Sequence, residues 1–221
     1  MNNVNINQSL KSLESLYIKG EIASAVDAQK KMEGALNPGH LYYNLGSLYL
    51  KKGDVAAARY YLELSKKNNF NTSMVDHNLG VAKRTLEVKE IGLEEGFTNN
   101  AINFVLQTSP VNFLTLTLIL SFLTLFIWRI RLFKNKIVII ICFLISFIPF
   151  LFQQFYLSKI KFAISLDVTE IHEGPSAIFS KIGSVRPGEK VLVGEENNNW
   201  LYISYPKNLN GWVDKSKVGI L

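Results

Sequence analysis

Three hydrophobicity patterns follow one another along this chain, and each predicts a different kind of structure. Up to about residue 93, apolar residues recur every three or four positions, as they do on amphipathic helices. Two uncharged apolar runs then flank a short basic loop. After residue 158, short alternating runs separated by Gly, Pro and Asn predict β-strands. The chain is therefore expected to divide into helical repeats 1–93, a connector 94–110, a membrane hairpin 111–157 and a β domain 158–221.

The hairpin is predicted from residues 111–128 and 137–157, which contain no Asp, Glu, Lys, Arg or His. As helices they would span about 27 and 31 Å, close to the ~30 Å of a bilayer's hydrocarbon core. A core helix of a soluble protein seldom stays apolar on every side for that length. Pro149 is expected to bend the second helix without ending it. The missing charges also argue against an ion path or a transporter site.

The loop 129–136 sets the expected orientation, because it carries four cations and no anion: Arg129, Arg131, Lys134 and Lys136. Basic residues of short loops stay in the cytoplasm. We therefore expect a two-pass membrane protein, with the loop in the cytoplasm and both soluble regions on the outer side. The N-terminus lacks the basic and apolar regions of a signal peptide. Either a start lies upstream, or the N-tail is translocated unusually, or the loop charges mislead; we give the loop charges more weight.

The distribution of charge and the residues available for catalysis or metal binding exclude several classes of function. The net charge of +6 comes mostly from the loop, since residues 1–110 and 158–221 each carry only one excess cation. No basic face for nucleic acid is implied. The lone Cys142 excludes an intramolecular disulfide. No phosphate loop or catalytic Cys/His set occurs, and the histidines lack metal-ligand spacing. We expect no enzyme, no cofactor and no metal site.

The helical region repeats itself with a period of 33 to 34 residues. Asn44-Leu45-Gly46 recurs as Asn78-Leu79-Gly80, and Gly20 and Gly53 occupy similar turns. The best copy, 41–70, reads as helix, Gly-Asp turn, helix. It resembles the tetratricopeptide repeat, whose large, small and aromatic packing positions match Tyr42, Leu45, Gly46, Tyr49, Ala58 and Leu62. We expect two units, 7–36 and 41–70, and a capping helix within 73–90, forming a short solenoid.

This resemblance implies a concave face that binds peptides or proteins. Its groove positions in the best unit would be Tyr43, Asn44, Ser47 and Lys51. The alternative is that these are solvated residues of a structural spacer.

The C-terminal region is expected to hold strands at 163–170, 190–195, 200–205 and 211–213, and so a small β-barrel. The motifs from His172 to Ser176, at Ile182-Gly183, from Pro187 to Val191, at Trp200 and at Gly211-Trp212-Val213 resemble the bacterial SH3 domain. The resemblance implies binding to cell-wall peptides or proteins and, together with the predicted hairpin, a place in a bacterial inner membrane. It makes Trp200, Tyr202, Tyr205 and Trp212 candidates for a ligand face. The alternative is that Trp200 and Trp212 pack in the core, which we favour for Trp212.

The order of modules resembles the BatE-type proteins of the Bat (aerotolerance) operons. That resemblance implies association with von Willebrand A-domain membrane proteins and a part in oxidative-stress tolerance. Sequence alone predicts a non-enzymatic, membrane-tethered adaptor or scaffold. An envelope anchor that binds peptidoglycan through the SH3 domain is the alternative. A membrane sensor or transport subunit is a third, disfavoured by the apolar spans.

Overall fold

The computed structural model describes residues 6–88, 110–130, 136–159 and 161–221. The chain forms two compact units, Met1–Glu90 with Phe162–Leu221, and Ile91–Lys161. Residues 94–109 of the expected connector lie outside the described residues, as do the loop cations Arg131 and Lys134.

Five helices build the N-terminal part of the first unit, and each packs on the next along the chain. Side-chain caps mark the helix starts: Asn37, Asp54 and Thr72 accept from the backbone N–H groups of Gly39, Ala57 and Val75. The helices are α1 Ile6–Lys19, α2 Ile22–Lys30, α3 Pro38–Lys52, α4 Val55–Lys67 and α5 Ser73–Leu86. The expected helix-turn-helix pattern is thus present, whereas its assignment to the tetratricopeptide family stays a prediction.

The turn and the close crossing of the best repeat follow the sequence pattern. Gly53 adopts a left-handed conformation with φ of 85° and ends α3, a backbone geometry that glycine accepts without strain. Helices α3 and α4 are in close contact at Gly46. A Cβ atom at this position would lie only 2.6 Å from Cγ of the buried Leu62 on α4. Ser65 of α4 is buried and donates its hydroxyl to the Gly39 carbonyl of α3 at 2.9 Å.

The C-terminal part of the first unit is a seven-stranded sheet of order β3-β2-β6-β5-β4-β1-β7. Its core is aliphatic and includes Ile171, Val191, Val193, Leu201, Ile203 and Val213. The strands are β1 Lys161–Ser165, β2 Thr169–His172, β3 Lys181–Val185, β4 Lys190–Asn197, β5 Trp200–Tyr205, β6 Gly211–Asp214 and β7 Val218–Ile220. The expected all-β region is confirmed.

One predicted strand is wrong in its bounds, and two of the observed strands were not predicted. Residues 163–170 do not form one strand, because β1 pairs with β7 whereas β2 pairs with β3 and β6, and a turn at 166–168 separates them. Asp167 supports that turn by accepting from the Val168 N–H at 2.8 Å. Strands β3 and β7 were not expected, since β3 is mostly exposed and β7 has only three residues.

The second unit contains α6 Pro110–Arg129, α7 Lys136–Ile145 and α8 Ile148–Phe155. Segments Val111–Arg129 and Lys136–Phe155 are long and apolar enough to cross a membrane, with mean hydropathies of 2.1 and 2.4. Only 11% and 6% of these segments is buried within the protein, unlike core helices of soluble proteins. Their apolar side chains therefore need an apolar environment outside the chain.

Pro149 does more than bend the second segment. Helix α7 ends at Ile145, a turn occupies 146–147, and Pro149 stands in the first turn of α8. A proline has no N–H and its ring clashes with the carbonyl four residues earlier, here that of Ile145. The Ser146 hydroxyl lies at this break, 2.8 Å from the Ser121 hydroxyl of α6.

Candidate functional site

Alternation along β5 and β6 places three large aromatic side chains on the outer surface of the sheet. Leu201 and Ile203 are buried in the core, so Trp200 and Tyr202 lie on the opposite face and are half-buried. On β6 the core residues are Gly211 and Val213, which leaves Trp212 outside and half-buried. The expectation that Trp212 belongs to the core is therefore wrong.

The strand register brings these side chains into contact. Tyr202 lies directly opposite Trp212, and their ring centroids are 5.4 Å apart at 63°. His172 of β2 lies opposite Trp212 on its other side, and its ring meets that of Trp200 edge-on at 5.2 Å. Edge-to-face pairs at such separations stabilise one another beyond simple burial. We call the four residues His172, Trp200, Tyr202 and Trp212 the aromatic face.

The loop between β2 and β3 borders the aromatic face. His172 Nδ1 donates to the Phe179 carbonyl oxygen at 2.8 Å, which ties the loop to the sheet. The Phe179 ring covers Gly174, where a Cβ atom would lie 2.6 Å from it. Ile178 is 94% exposed and Phe179 is 48% exposed. The loop thus adds exposed apolar surface beside the four rings.

The charged groups around the aromatic face pair with one another. Glu170 accepts from Lys181 Nζ at 2.7 Å, and this hydrogen bond and the lysine's charge lower the pKa of Glu170. Asp214 accepts from the Asn199 amide at 2.8 Å, and Lys215 bonds to the carboxylate of Glu196. The carboxylates of Glu170 and Glu196 thus each have a lysine partner. The face therefore offers three aromatic rings and a phenol hydroxyl, without a dominant charge.

Tyr205 does not join the other candidates. It shares the strand parity of Leu201 and Ile203, and it lies opposite Leu192 of β4. The structure thus brings together Trp200, Tyr202 and Trp212, the last of which sequence reasoning assigned to the core, and it adds His172. Strand alternation in Gly-Trp-Val could have signalled Trp212, whereas His172 depends on the pairing of β2 with β6.

The positions predicted to form a helical groove lie along α3: Tyr43, Asn44, Ser47 and Lys51. The first three are half-buried and Lys51 is exposed. The Tyr43 ring packs 5.6 Å from that of Phe70, and Ser47 accepts from the Asn78 amide of α5 at 3.1 Å. Lys51 Nζ stands 3.7 Å over the Tyr17 ring of α1. The set therefore follows a surface shared by α1, α3 and α5, and partner binding there stays a prediction.

The structure describes two of the four cations that are predicted to set the membrane orientation. Arg129 is the last residue of α6 and Lys136 the first of α7, so both stand at the ends of the apolar helices that face residues 130–135 in the sequence. Within the described ranges, no group of three or more His, Cys, Asp or Glu side chains is arranged to hold a metal ion.

Searches of curated proteins and of solved structures find no match to this chain. A family model does match, within the β domain. It runs from Asp167, in the turn after β1, to Val218, the first residue of β7. All four residues of the aromatic face lie inside it, and the helical region and the apolar segments lie outside it. Residues 167–218 match the family described as Bacterial SH3 domain, which confirms the resemblance drawn from the motifs of this region.

Proposed function

We propose that this chain is a non-enzymatic, membrane-tethered adaptor that binds protein partners through its SH3 domain and its helical region. The aromatic face carries the proposal. Tyr and Trp are enriched at the centres of protein interfaces, where they supply large contact areas at a low cost in side-chain entropy. Three such rings, Trp200, Tyr202 and Trp212, are half-buried on the sheet surface, backed by the buried His172 and free of a dominant charge, and this arrangement suits a docking surface.

The membrane tether is supported by the two apolar segments. Their side chains are left exposed by the protein itself, and a bilayer would cover them. The chain before the pair and the chain after it belong to one compact unit. An even number of crossings is therefore needed, which a hairpin supplies. With the basic loop held in the cytoplasm, both modules would face the outer compartment.

The partner class that fits best is a protein held in the same membrane. Tethering confines both molecules to the bilayer and raises the effective concentration of each for the other. We assign the chain to a Bat-like complex with von Willebrand A-domain membrane proteins, linked to oxidative-stress tolerance. The order of modules along the chain supports that assignment, and the family match supports its SH3 part.

A second candidate function is an envelope anchor, in which the aromatic face binds peptidoglycan. The domain type favours it, because this family belongs to extracytoplasmic proteins. Half-exposed aromatic rings with polar tips suit a glycan or a short peptide equally well.

One experiment separates the two candidates. The full chain is expressed in its membrane as the parent, as Trp200→Ala and as Tyr202→Ala. Val168→Ala is the control, since Val168 is an exposed apolar side chain in the turn between β1 and β2. Sedimentation with purified sacculi and cross-linked co-purification of proteins are measured in parallel. Protease resistance of the β domain verifies that each variant remains folded.

For an adaptor, we expect the aromatic variants to reduce partner recovery at least about tenfold, as loss of an interface hot spot does. Sedimentation with sacculi would stay at the level of Val168→Ala. Loss of sedimentation with unchanged partner recovery would reject the adaptor and establish the anchor. Trypsin added to spheroplasts tests the orientation: it should cut the helical region and spare a tag inserted at Asn135.

A further inference from the structure

The helical region and the β domain share a polar contact whose centre is fully buried. Arg59 of α4 is 0% exposed, and its Nη1 donates to the Gly188 carbonyl oxygen, in the turn before β4, at 3.0 Å. Beside it, the Tyr60 hydroxyl donates to the Ile220 carbonyl oxygen of β7 at 3.3 Å. Two successive residues of one helix therefore bond to backbone carbonyls at two separate places on the sheet.

A mostly buried carboxylate, that of Glu63 with its side chain 15% exposed, lies at the middle of this contact. Lys190 Nζ of β4 donates to Glu63 at 3.0 Å, and Arg59 and Lys83 lie 3.8 and 3.9 Å away from the same carboxylate. Burial by itself raises the pKa of Glu63, but the nearby cations, Lys190 above all, bring it below its ordinary value. Glu63 is thus an anion at neutral pH, and one of its closest cations belongs to the other domain.

Two glycines show how closely the domains approach. A Cβ atom on Gly188 would lie 2.4 Å from Leu86 of α5, and one on Gly219 would lie 2.6 Å from the Tyr60 ring. Real Cβ atoms do not come that close to other carbons, so a side chain at either position would force Leu86 or Tyr60 to move. The backbone of the β domain therefore rests directly on α4 and α5.

We propose that the helical region carries a docking surface for the SH3 domain of its own chain, fixed by an interdomain clamp of Arg59, Glu63 and Lys190. The two modules then form one rigid recognition unit. Without Lys190, the mostly buried Glu63 would lose its hydrogen-bonded cation and keep only the more distant Arg59 and Lys83, so the Lys190–Glu63 contact favours the docked state. A partner on α3 and a ligand on the aromatic face are consequently held at a fixed separation. This inference concerns the geometry of the chain and does not depend on which ligand either surface takes.

The test measures the distance between the modules in the full chain, reconstituted in lipid nanodiscs. Cys142→Ser removes the native thiol, and spin labels are placed at Lys67→Cys on α4 and at Lys207→Cys after β5, both of which replace exposed residues. Pulsed electron–electron double resonance then gives the distribution of distances between the two spin labels. Docked modules predict one narrow peak.

Two independent variants disturb the contact. Lys190→Met keeps the aliphatic stem but removes the ammonium group from Glu63. Gly219→Ala pushes a methyl group into the Tyr60 ring, and Gly194→Ala is its control, because a Cβ atom there meets nothing within 4 Å among the described atoms. We expect both disturbing variants to broaden the peak and to increase the undocked fraction at least about tenfold. Gly194→Ala should leave the peak unchanged.

A further comparison shows whether the broadening comes from the contact itself. In a Tyr60→Ala background the obstructing ring is gone, so Gly219→Ala should cause no additional broadening. Protease resistance of the β domain verifies that the sheet stays folded in each variant. A broad distribution in the parent chain overturns the proposal. So does a peak that remains narrow in both Lys190→Met and Gly219→Ala.

Discussion

Alanine at the two repeated glycines should change stability in opposite directions. Gly46 and Gly80 occupy the same place in the repeated Asn-Leu-Gly motif, on α3 and α5. A Cβ atom on Gly46 would lie 2.6 Å from Cγ and 3.2 Å from the backbone nitrogen of Leu62. At Gly80 the nearest described atom is the tip of the Arg84 side chain at 3.4 Å. The same substitution is therefore obstructed at one site and open at the other.

The magnitudes follow from two competing terms. Alanine stabilises a helix by about 1 kcal/mol relative to glycine. At Gly46 the neighbouring helix must move by about 1 Å, and overpacking of a core costs about 1 to 3 kcal/mol. Leu62 is fully buried and its backbone is part of the obstruction, so the upper half of that range applies. We expect Gly46→Ala to lower the free energy of unfolding by about 1 to 2 kcal/mol and Gly80→Ala to raise it by about 0.5 to 1 kcal/mol.

Urea unfolding of the full chain in nanodiscs, followed by circular dichroism, measures both changes. The slope with denaturant should match that of the parent, so that the shift in midpoint reports stability. The pair contains its own control, because both variants add one methyl group at the same motif position. Stabilisation by Gly46→Ala would refute the close crossing of α3 and α4. A loss at Gly80 as large as that at Gly46 would refute the open environment of α5.

Two further predictions concern buried polar groups. Lys190→Met should destabilise the protein by about 2 kcal/mol at pH 7. The pKa of Glu63 in the folded protein lies below its ordinary 4.5. The difference in stability between parent and variant should therefore be largest above pH 4.5, and it should shrink as the pH falls through the folded-state pKa and the carboxylate is protonated. Thermal unfolding from pH 7 to 3 measures it, and a difference that does not vary with pH would contradict the role of Glu63. Gln29 is 0% exposed, and its amide atoms have no hydrogen-bond partner among the described residues. Gln29→Met should therefore raise the free energy of unfolding by about 1 to 3 kcal/mol, and Gln29→Glu should lower it. If Gln29→Met brings no gain in stability, the amide is satisfied by a hydrogen bond.

The docking of the β domain on the helices affects how domain deletions are interpreted. Removing residues 162–221 would take away the SH3 ligand face and would also uncover Arg59 and Glu63 on α4. A loss of partner binding after such a deletion would then have two causes. Point substitutions on the aromatic face avoid this problem, since its four residues are separate from those of the clamp.

Local sequence signals accounted for much of the helical region. The glycine turns, the Asp54 cap and the small residue at Gly46 each act within one helix pair, so spacing along the chain was enough to predict helix, turn and helix. The two apolar segments were equally evident, because length and absence of charge are properties of composition. The interruption before Pro149 was underestimated, since it depends on how the freed backbone groups near Ser146 are satisfied.

The sequence by itself determined the type of each segment and the alternation along β5 that turns Trp200 and Tyr202 to one side. These are local properties, set by side-chain period and backbone chemistry. Only the tertiary structure decided that Trp212 and His172 complete the aromatic face, because strand pairing joins residues distant in the chain. It also decided that Arg59 and Glu63, which look like solvated charges of a helix, are buried by the β domain. Nothing in the spacing of one helix specifies which distant strand will cover it.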